Sequence, residues 1–179
     1  ERVLEIKGRC LGVKMQILNI SWLLLCVYAP AQPGIRAEFF DKIDEKLNQT
    51  NYNFSDILLG EDFNCVETPS LDRFPARRDV AEQGITKLLD LKNRYSLKDP
   101  FRIRNPTKDF YSFSSTRKTL SRIDRFYVTE NIFTNYLLTE NCIITDFQHR
   151  LIIMNLELQI PRKFGPSFWK MNNLLLNES

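Results

Sequence analysis

The fold of this chain is decided by the stretch Ile57-Leu58-Leu59-Gly60-Glu61-Asp62-Phe63-Asn64-Cys65, in which a strand-like apolar run stops at an acid and an amide. On an extended backbone, Asp62 and Asn64 share one side. A carboxylate can take a proton from water and an amide can donate to a phosphate oxygen, so the pair suits phosphoryl hydrolysis. The competing interpretation of Asp-x-Asn after a strand is a turn or a helix cap.

Length and composition are those of one globular domain. The chain has 179 residues, of which 43% are hydrophobic and 26% charged. Its net charge of +3 falls short of that of a dedicated nucleic-acid binder. Basic residues cluster in three places: Arg73, Arg77 and Arg78; Arg102, Arg104 and Lys108; and Arg117, Lys118, Arg122 and Arg125. The clusters indicate either a polyanionic partner or a solvated surface with counter-charges, and both interpretations stay open.

The cysteines indicate neither a zinc site nor a disulfide framework. There are four, at Cys10, Cys26, Cys65 and Cys142, without C-x-x-C spacing, and His149 is the single histidine. Free thiols in a reducing compartment are the simpler interpretation. The most apolar run, Ile17 to Tyr28, is too short to cross a bilayer, and the chain starts without a signal-peptide pattern. The sequence therefore predicts an intracellular protein without a membrane partner.

Hydrophobic spacing predicts strands alternating with helices. Val3 to Ile6 and Met15 to Tyr28 predict a strand pair that ends at the following prolines. Apolar residues from Ile35 to Leu47 recur at helical spacing. Phe54 to Leu59 predicts a short buried strand, and Val80 to Leu91 predicts a second helix. This order indicates a layered α/β fold.

After Pro106 the pattern changes to short β-rich pieces. The predicted pieces are Phe110 to Phe113, Ile123 to Val128, Ile143 to Phe147 and Leu151 to Leu158. From Pro161 the aromatic-rich tail indicates a linker toward a neighbouring domain.

Six short motifs occur in a characteristic order. They are Val27-Tyr28-Ala29-Pro30, Gly60-Glu61-Asp62-Phe63-Asn64, Leu71-Asp72-Arg73, Tyr111-Ser112-Phe113-Ser114-Ser115, Ser121-Arg122-Ile123-Asp124-Arg125-Phe126 and His149-Arg150-Leu151. In this order they resemble successive motifs of the endonuclease/exonuclease/phosphatase superfamily. The likeness is greatest to the endonuclease domain of non-LTR, LINE-type retrotransposons, where a W-K-x-N-N linker like Trp169 to Asn173 follows.

The resemblance implies a four-layer α/β sandwich of two mixed sheets flanked by helices, here missing its N-terminal strands. Residues 1–160 would form this domain, and residues 161–179 would be a linker toward a reverse-transcriptase domain in cis. Duplex DNA would be the partner, and a nuclear or cytoplasmic ribonucleoprotein the location.

The same resemblance implies the catalytic roles. Asp62 would orient or deprotonate the attacking water, and Asn64 would hold the scissile phosphate, with Tyr28 nearby. Asp124 would hydrogen-bond His149 and favour its protonated form. Ser112, where the family usually has threonine, would contact DNA or its phosphate, and Arg73 and Arg122 are the other expected substrate-binding residues.

Three departures from the family pattern put metal-assisted hydrolysis in doubt. In the family, the principal Mg²⁺ ligand is a Glu on a strand that lies upstream of the position corresponding to Glu1. This chain has no match for that Glu. Glu61 adds a negative charge where the family has glycine. Gln148 stands beside His149 where the family has an acid, so either Gln148 replaces that acid or Asp146 takes its place, across a two-residue insertion, as the expected metal ligand.

The leading hypothesis is therefore a retrotransposon-derived DNA endonuclease domain, whose intact ancestor hydrolyses phosphodiesters with Mg²⁺ and which is impaired or inactive in this chain. A non-catalytic nucleic-acid-binding or interaction module on the same fold is the alternative from another class. A third hypothesis is a different activity on the same scaffold, such as a deadenylase or a phosphoinositide phosphatase.

Overall fold

The computed structural model describes residues 1–17, 20–50, 54, 56–76, 84–143 and 147–158. The strands are β1 (Arg2–Ile6), β2 (Cys10–Ile17), β3 (Ile20–Tyr28), β4 (Asp56–Asp62), β5 (Arg73–Phe74), β6 (Phe113–Ser114), β7 (Leu120–Ser121), β8 (Asp124–Val128), β9 (Leu137–Ile143) and β10 (Leu151–Leu156). The helices are α1 (Pro33–Gln49), α2 (Pro69–Asp72), α3 (Ile85–Arg94), α4 (Pro100–Arg104) and α5 (Glu130–Asn135).

A five-stranded mixed sheet forms the centre, in the order β1-β2-β3-β4-β8. The parallel pair β3 and β4 is connected by α1, while the other neighbours are antiparallel. Tyr28 pairs with Asp62, and Asp62 pairs in turn with Asp124. The register therefore brings three predicted site residues, far apart in sequence, to one end of adjacent strands.

Helices α1 and α3 cover one face of this sheet. Both present an apolar stripe to strand residues that alternate toward them, as the helical and strand periods require. The buried cluster includes Phe39, Phe40, Ile43, Ile85, Leu88, Leu91, Leu23, Leu25, Val27 and Leu59. The predicted helix of Ile35 to Leu47 is thus confirmed as an amphipathic helix packed on the core.

The opposite face of the central sheet carries smaller sheets. The antiparallel pair β9 and β10 lies over a second apolar cluster around Trp22, Val128 and Ile132. A three-stranded sheet, β5-β7-β6, lies beside the segment that carries His149, because Phe113 in β6 forms an isolated β-bridge with His149. The predicted α/β fold with flanking helices is confirmed, and the strands outside the central sheet form a two-stranded and a three-stranded sheet.

Several element boundaries differ from the prediction. The apolar segment Met15 to Tyr28 belongs to two strands, and β2 starts earlier, at Cys10. Of the predicted strand Phe110 to Phe113 only Phe113 is in a strand, since Phe110 instead packs on Phe101, with 4.2 Å between ring centroids. Helices α2, α4 and α5 were not predicted, because four to six residues are too few to show a helical period.

The second predicted helix begins at Ile85 rather than Val80, and residues 77–83 lie outside the described ranges. Strand β9 precedes the predicted Ile143 to Phe147; residues 144–146 and the predicted linker, 161–179, are also outside. In the part of the chain that the structure describes, no helix has the length and apolar character needed to cross a membrane.

Candidate active site

A cavity of about 470 Å³ opens where β3, β4 and β8 bring their site residues together. Tyr28, Asp62, Asp124 and His149 all line it. The first three are placed by the sheet register, and His149 is placed by the segment that leads into β10. The structure thus collects four of the five predicted catalytic residues around one space, and the fifth, Asn64, contacts Asp62 directly.

Asp124 and His149 form the predicted contact. Nδ1 of His149 lies 3.1 Å and 3.2 Å from the two carboxylate oxygens of Asp124. The other side of the imidazole packs against Phe113, with 4.8 Å between ring centroids. A carboxylate at Nδ1 fixes the orientation of the ring.

Asp62 and Asn64 are joined by a compact turn rather than by an extended backbone. Asn64 has φ of 50°, in the left-handed region, so the expected sharing of one strand side is wrong. The carboxylate of Asp62 accepts the Asn64 backbone N–H at 2.7 Å and its side-chain amide at 3.0 Å. The amide nitrogen also donates to the Ala29 carbonyl at 2.7 Å. Asn64 therefore ties Asp62 to the end of β3.

Both acids of the site have a pKa above the ordinary value of an aspartate. Burial, the largest cause, together with the charge of Asp124, raises the pKa of Asp62 to about 6, against the opposing hydrogen bond from Asn64. Burial also raises the pKa of Asp124, although hydrogen bonding to Ser112 and the charge of His149 act in the other direction. A carboxylate with a pKa near 6 can exchange a proton with water close to neutral pH.

Tyr28 stands at the entrance of the cavity with 52% of its surface exposed. The guanidinium of Arg9, in the turn between β1 and β2, lies 4.7 Å from its ring centroid. A cation over the ring holds the side chain in place while the hydroxyl stays accessible. Arg9 was not among the predicted site residues, because only the pairing of β2 with β3 brings it beside Tyr28.

The predicted substrate contacts of Ser112 and Arg122 are not supported by their positions. Ser112 is fully buried, and its hydroxyl accepts the backbone N–H groups of Ile123 and Asp124 at 3.1 and 2.9 Å. Arg122 is equally buried and makes a bidentate ion pair with Asp99 at 2.7 and 2.8 Å. Both residues therefore position the segment that carries Asp124. A spacing argument does not reveal burial.

The first and third basic clusters differ in accessibility. Arg73 is partly exposed in β5, whereas Arg77 and Arg78 lie outside the described residues. In the third cluster Arg117 and Lys118 are exposed, so only its hairpin tip faces solvent. A polyanion can reach these exposed cations but cannot reach Arg122 or Arg125.

Arg125 is fully buried and hydrogen-bonds to backbone next to the site residues. Its guanidinium donates to the carbonyls of Cys65 at 2.8 Å and Arg122 at 3.0 Å. It also lies 5.1 Å from the Phe63 ring centroid. These contacts link the turn after Asp62 to the segment before Asp124. The alternation of β8 gave a signal for this, since Arg125 must face away from Asp124.

Glu61 has a strained backbone conformation and adds an acidic side chain to the cavity lining. Its φ of 99° lies in the region that favours glycine, next to Asp62. Its carboxylate accepts a hydrogen bond from the Cys26 thiol at 2.7 Å and lines the cavity. Burial and this contact raise the pKa of Cys26 to about 11. Glu61 therefore places a negative charge on the wall of the cavity.

The site could hold a metal ion, since one ligand atom each from Asp62, Asp124 and His149 lies within 4.8 Å of the others. Magnesium prefers a near-octahedral shell of oxygen ligands. Here one of the three ligands is a nitrogen, and the carboxylate oxygens already serve Asn64 and His149. The described residues fit a hydrogen-bonded acid and histidine site better than a magnesium site. The expected ligand Asp146 lies outside them.

Comparison with known proteins gives one relative from a transposon. The Transposon TX1 uncharacterized 149 kDa protein of Xenopus laevis is 24% identical over 176 residues, which is 97% of this chain and 13% of that protein. No family model matches the chain.

Solved structures share the fold at low sequence identity. AP endonuclease LMAP from Leishmania major has a TM-score of 0.69 and 17% identity, over 84% of this chain and 55% of that one. The endonuclease domain of TRAS1, a telomere-specific non-LTR retrotransposon, has a TM-score of 0.58 and 15% identity, over 85% and 65% respectively. The chain therefore has the fold of the endonuclease/exonuclease/phosphatase superfamily and resembles a transposon protein and a non-LTR retrotransposon endonuclease domain.

Proposed function

We propose that this chain is a retrotransposon-type DNA endonuclease domain whose hydrolytic activity is impaired. The observation that carries the proposal is the arrangement of Tyr28, Asp62, Asp124 and His149 around one open cavity at the ends of adjacent strands. The likeness to a transposon protein and to the TRAS1 endonuclease domain supports DNA as the substrate.

Each residue then has a role in cleaving a phosphodiester. Asp62 takes a proton from the attacking water, because its pKa of about 6 leaves it mostly ionised at neutral pH yet basic enough to accept one. Asn64 holds the Asp62 carboxylate in position. His149, oriented by Asp124, stabilises the charge that builds up on the phosphate oxygens, and the exposed hydroxyl of Tyr28 donates to the same phosphate.

The impairment follows from charge. Family resemblance implies a Mg²⁺ ion that polarises the phosphate. The described residues lack a well-suited set of oxygen ligands for it, Gln148 is neutral, and Glu61 repels the incoming phosphate. We therefore expect weak Mg²⁺ binding and slow cleavage.

The wider setting is part of the same proposal. Because the chain spans 13% of its transposon relative, we propose that a reverse-transcriptase domain accompanies it in cis, as the LINE-type resemblance implies. Its location would then be nuclear or cytoplasmic, within a ribonucleoprotein. A module that binds nucleic acid without cleaving it is the second candidate, and the neutral Gln148, which offers a metal ion no carboxylate but does not repel a phosphate, favours it.

The experiment is a nicking assay on supercoiled plasmid with Mg²⁺, which compares the chain with Asp62→Ala and His149→Ala variants. Impaired hydrolysis predicts no more nicked product from the unmodified chain than from the variants, together with salt-sensitive binding of duplex DNA. Fast nicking that both substitutions abolish would establish a working endonuclease and refute the impairment. Absence of both nicking and DNA binding would refute both candidates.

A further inference from the structure

A second cavity, of about 370 Å³, lies beside the candidate active site. This cavity lies between the turn that connects β1 to β2 and the first turns of α1. Its rim carries Arg9, Gln32 and Lys42, and its floor is formed by Ile6, Pro30 and Phe39. No acidic residue belongs to the described lining, so the cavity joins an apolar floor to a positive rim.

Arg9 connects the two cavities. Its guanidinium lies 4.7 Å from the ring centroid of Tyr28, and Tyr28 lines the cavity that contains Asp62 and His149. Arg9 itself lines the second cavity. Arg9 therefore lies between the active-site entrance and the second cavity.

The start of α1 adds to the positive character of the rim. The N-cap residue Gln32 makes no side-chain hydrogen bond to the first turn, and that turn carries no acidic side chain. Backbone N–H groups of a first turn carry partial positive charge. The nearby Asp41 is paired with Lys87 at 3.0 Å, which leaves Lys42 as the cation that this part of the helix presents to the cavity.

We propose that this cavity is a subsite for the nucleotide next to the scissile phosphate: Arg9 and Lys42 bind its backbone phosphate, and the apolar floor takes its sugar or base. The inference rests on the proposed function for the direction of the strand. The occupant is a segment of the DNA strand rather than a free nucleotide, because Arg9 is shared with the active-site entrance.

The test measures binding of a fluorescent duplex of about 20 base pairs by anisotropy, without divalent metal, across a salt series. Each lost phosphate contact should lower the slope of log affinity against log salt by about 0.9. We expect this change in Arg9→Gln and in Lys42→Gln, with a roughly three- to tenfold loss of affinity at low salt. Lys46→Gln removes the same charge one turn farther along α1, outside the described lining, and should leave both quantities nearly unchanged.

Ile35→Asp provides a second variant, since Ile35 lines the cavity but is 54% exposed and therefore tolerates a polar residue. It should weaken binding by placing a carboxylate in the subsite. Millimolar mononucleotide or inorganic phosphate should not displace the duplex. Equal effects of Lys42→Gln and Lys46→Gln, or displacement by free phosphate, would overturn the subsite.

The subsite and the catalytic proposal fail separately. Binding that depends on Arg9 and Lys42, together with fast nicking that Asp62→Ala and His149→Ala abolish, would support the subsite and refute only the impairment of hydrolysis. Nicking that depends on His149, together with an unchanged affinity for DNA in Arg9→Gln and Lys42→Gln, would support the catalytic site and refute the subsite.

Discussion

Asp62 and Asp124 are directly opposite each other in the antiparallel pairing of β4 and β8, so two buried carboxylates face one cavity. Like charges at opposed positions destabilise each other. This relationship explains why the charge of Asp124 adds to burial in raising the pKa of Asp62 to about 6. His149 lies beside both acids, because one ligand atom from each of the three residues lies within 4.8 Å of the others.

The raised pKa of Asp62 predicts a pH-dependent cost to stability. Because the folded state holds this proton more tightly than the unfolded chain, its contribution to the free energy of unfolding falls as pH rises from about 4 to about 6. Asp62→Asn should remove this trend. Between about pH 4 and pH 7.5 the variant should gain about 1–2 kcal/mol relative to the unmodified chain, after discounting for solvent screening. Urea unfolding at both pH values measures it.

The exposed acid Asp90 provides the control, because Asp90→Asn removes one carboxylate on α3 without touching the cavity. If Asp62→Asn follows the same pH dependence as the unmodified chain, the environment assigned to Asp62 is incorrect.

Ser112 predicts a different kind of loss. Ser112→Ala leaves the backbone N–H groups of Ile123 and Asp124 buried without their acceptor. Each such group costs about 1–3 kcal/mol, so we expect at least about 2 kcal/mol of destabilisation in chemical denaturation. The exposed Thr116→Ala, in the same segment, should change stability by less than about 0.5 kcal/mol. Equal stability of the two variants would contradict the positioning role of Ser112.

The strand end at Asp62 could be predicted from sequence because an apolar run, which needs burial, stops at two polar residues. The contact between Asp124 and His149 could be predicted only from motif order, since 25 residues separate them and hydrophobic spacing carries no information about such pairs. The burial of Ser112 and Arg122 could not be predicted, because the same polar residue types serve equally well as surface ligands or as buried hydrogen-bond partners. Only the packing around Asp99 and Asp124 decides between these uses.

Glu61 predicts an unusual stabilisation by glycine. A non-glycine residue at φ of 99° costs about 1–3 kcal/mol, so Glu61→Gly should raise the free energy of unfolding by about 1 kcal/mol after the Cys26 contact is lost. It should also strengthen DNA binding. Glu61→Ala separates the two effects, since it removes the charge but keeps a side chain in the strained conformation. We expect tighter DNA binding from both variants but greater stability only from glycine, as measured by thermal unfolding and anisotropy.

The neighbouring Gly60 gives the opposite case. A Cβ at this position would lie 2.5 Å from Cδ1 of Phe126, so Gly60→Ala forces that ring to move. Stabilisation by Gly60→Ala, or a Glu61→Gly variant no more stable than Glu61→Ala, would show that backbone strain is not what distinguishes residue 61.

Gln148 offers the sharpest test of why hydrolysis is impaired. Its side chain is exposed beside His149, and its backbone carbonyl accepts the N–H of Ser114 at 2.8 Å, so a substitution need not disturb the fold. Gln148→Asp adds a carboxylate next to His149 in the sequence, which supplies an oxygen ligand of the kind that Mg²⁺ prefers. We expect Mg²⁺ binding, measured by calorimetry, to tighten by roughly tenfold, and plasmid nicking to rise by at least about tenfold, because one well-placed charge-stabilising group is worth about 10²–10³ in rate.

The gain should disappear in the Gln148→Asp, His149→Ala double variant, and Gln148→Asn, which changes size without adding charge, should give none of it. Tighter Mg²⁺ binding without nicking would locate the impairment in phosphate access past Glu61, whereas nicking that rises equally in Gln148→Asn would show that the missing carboxylate is not the cause.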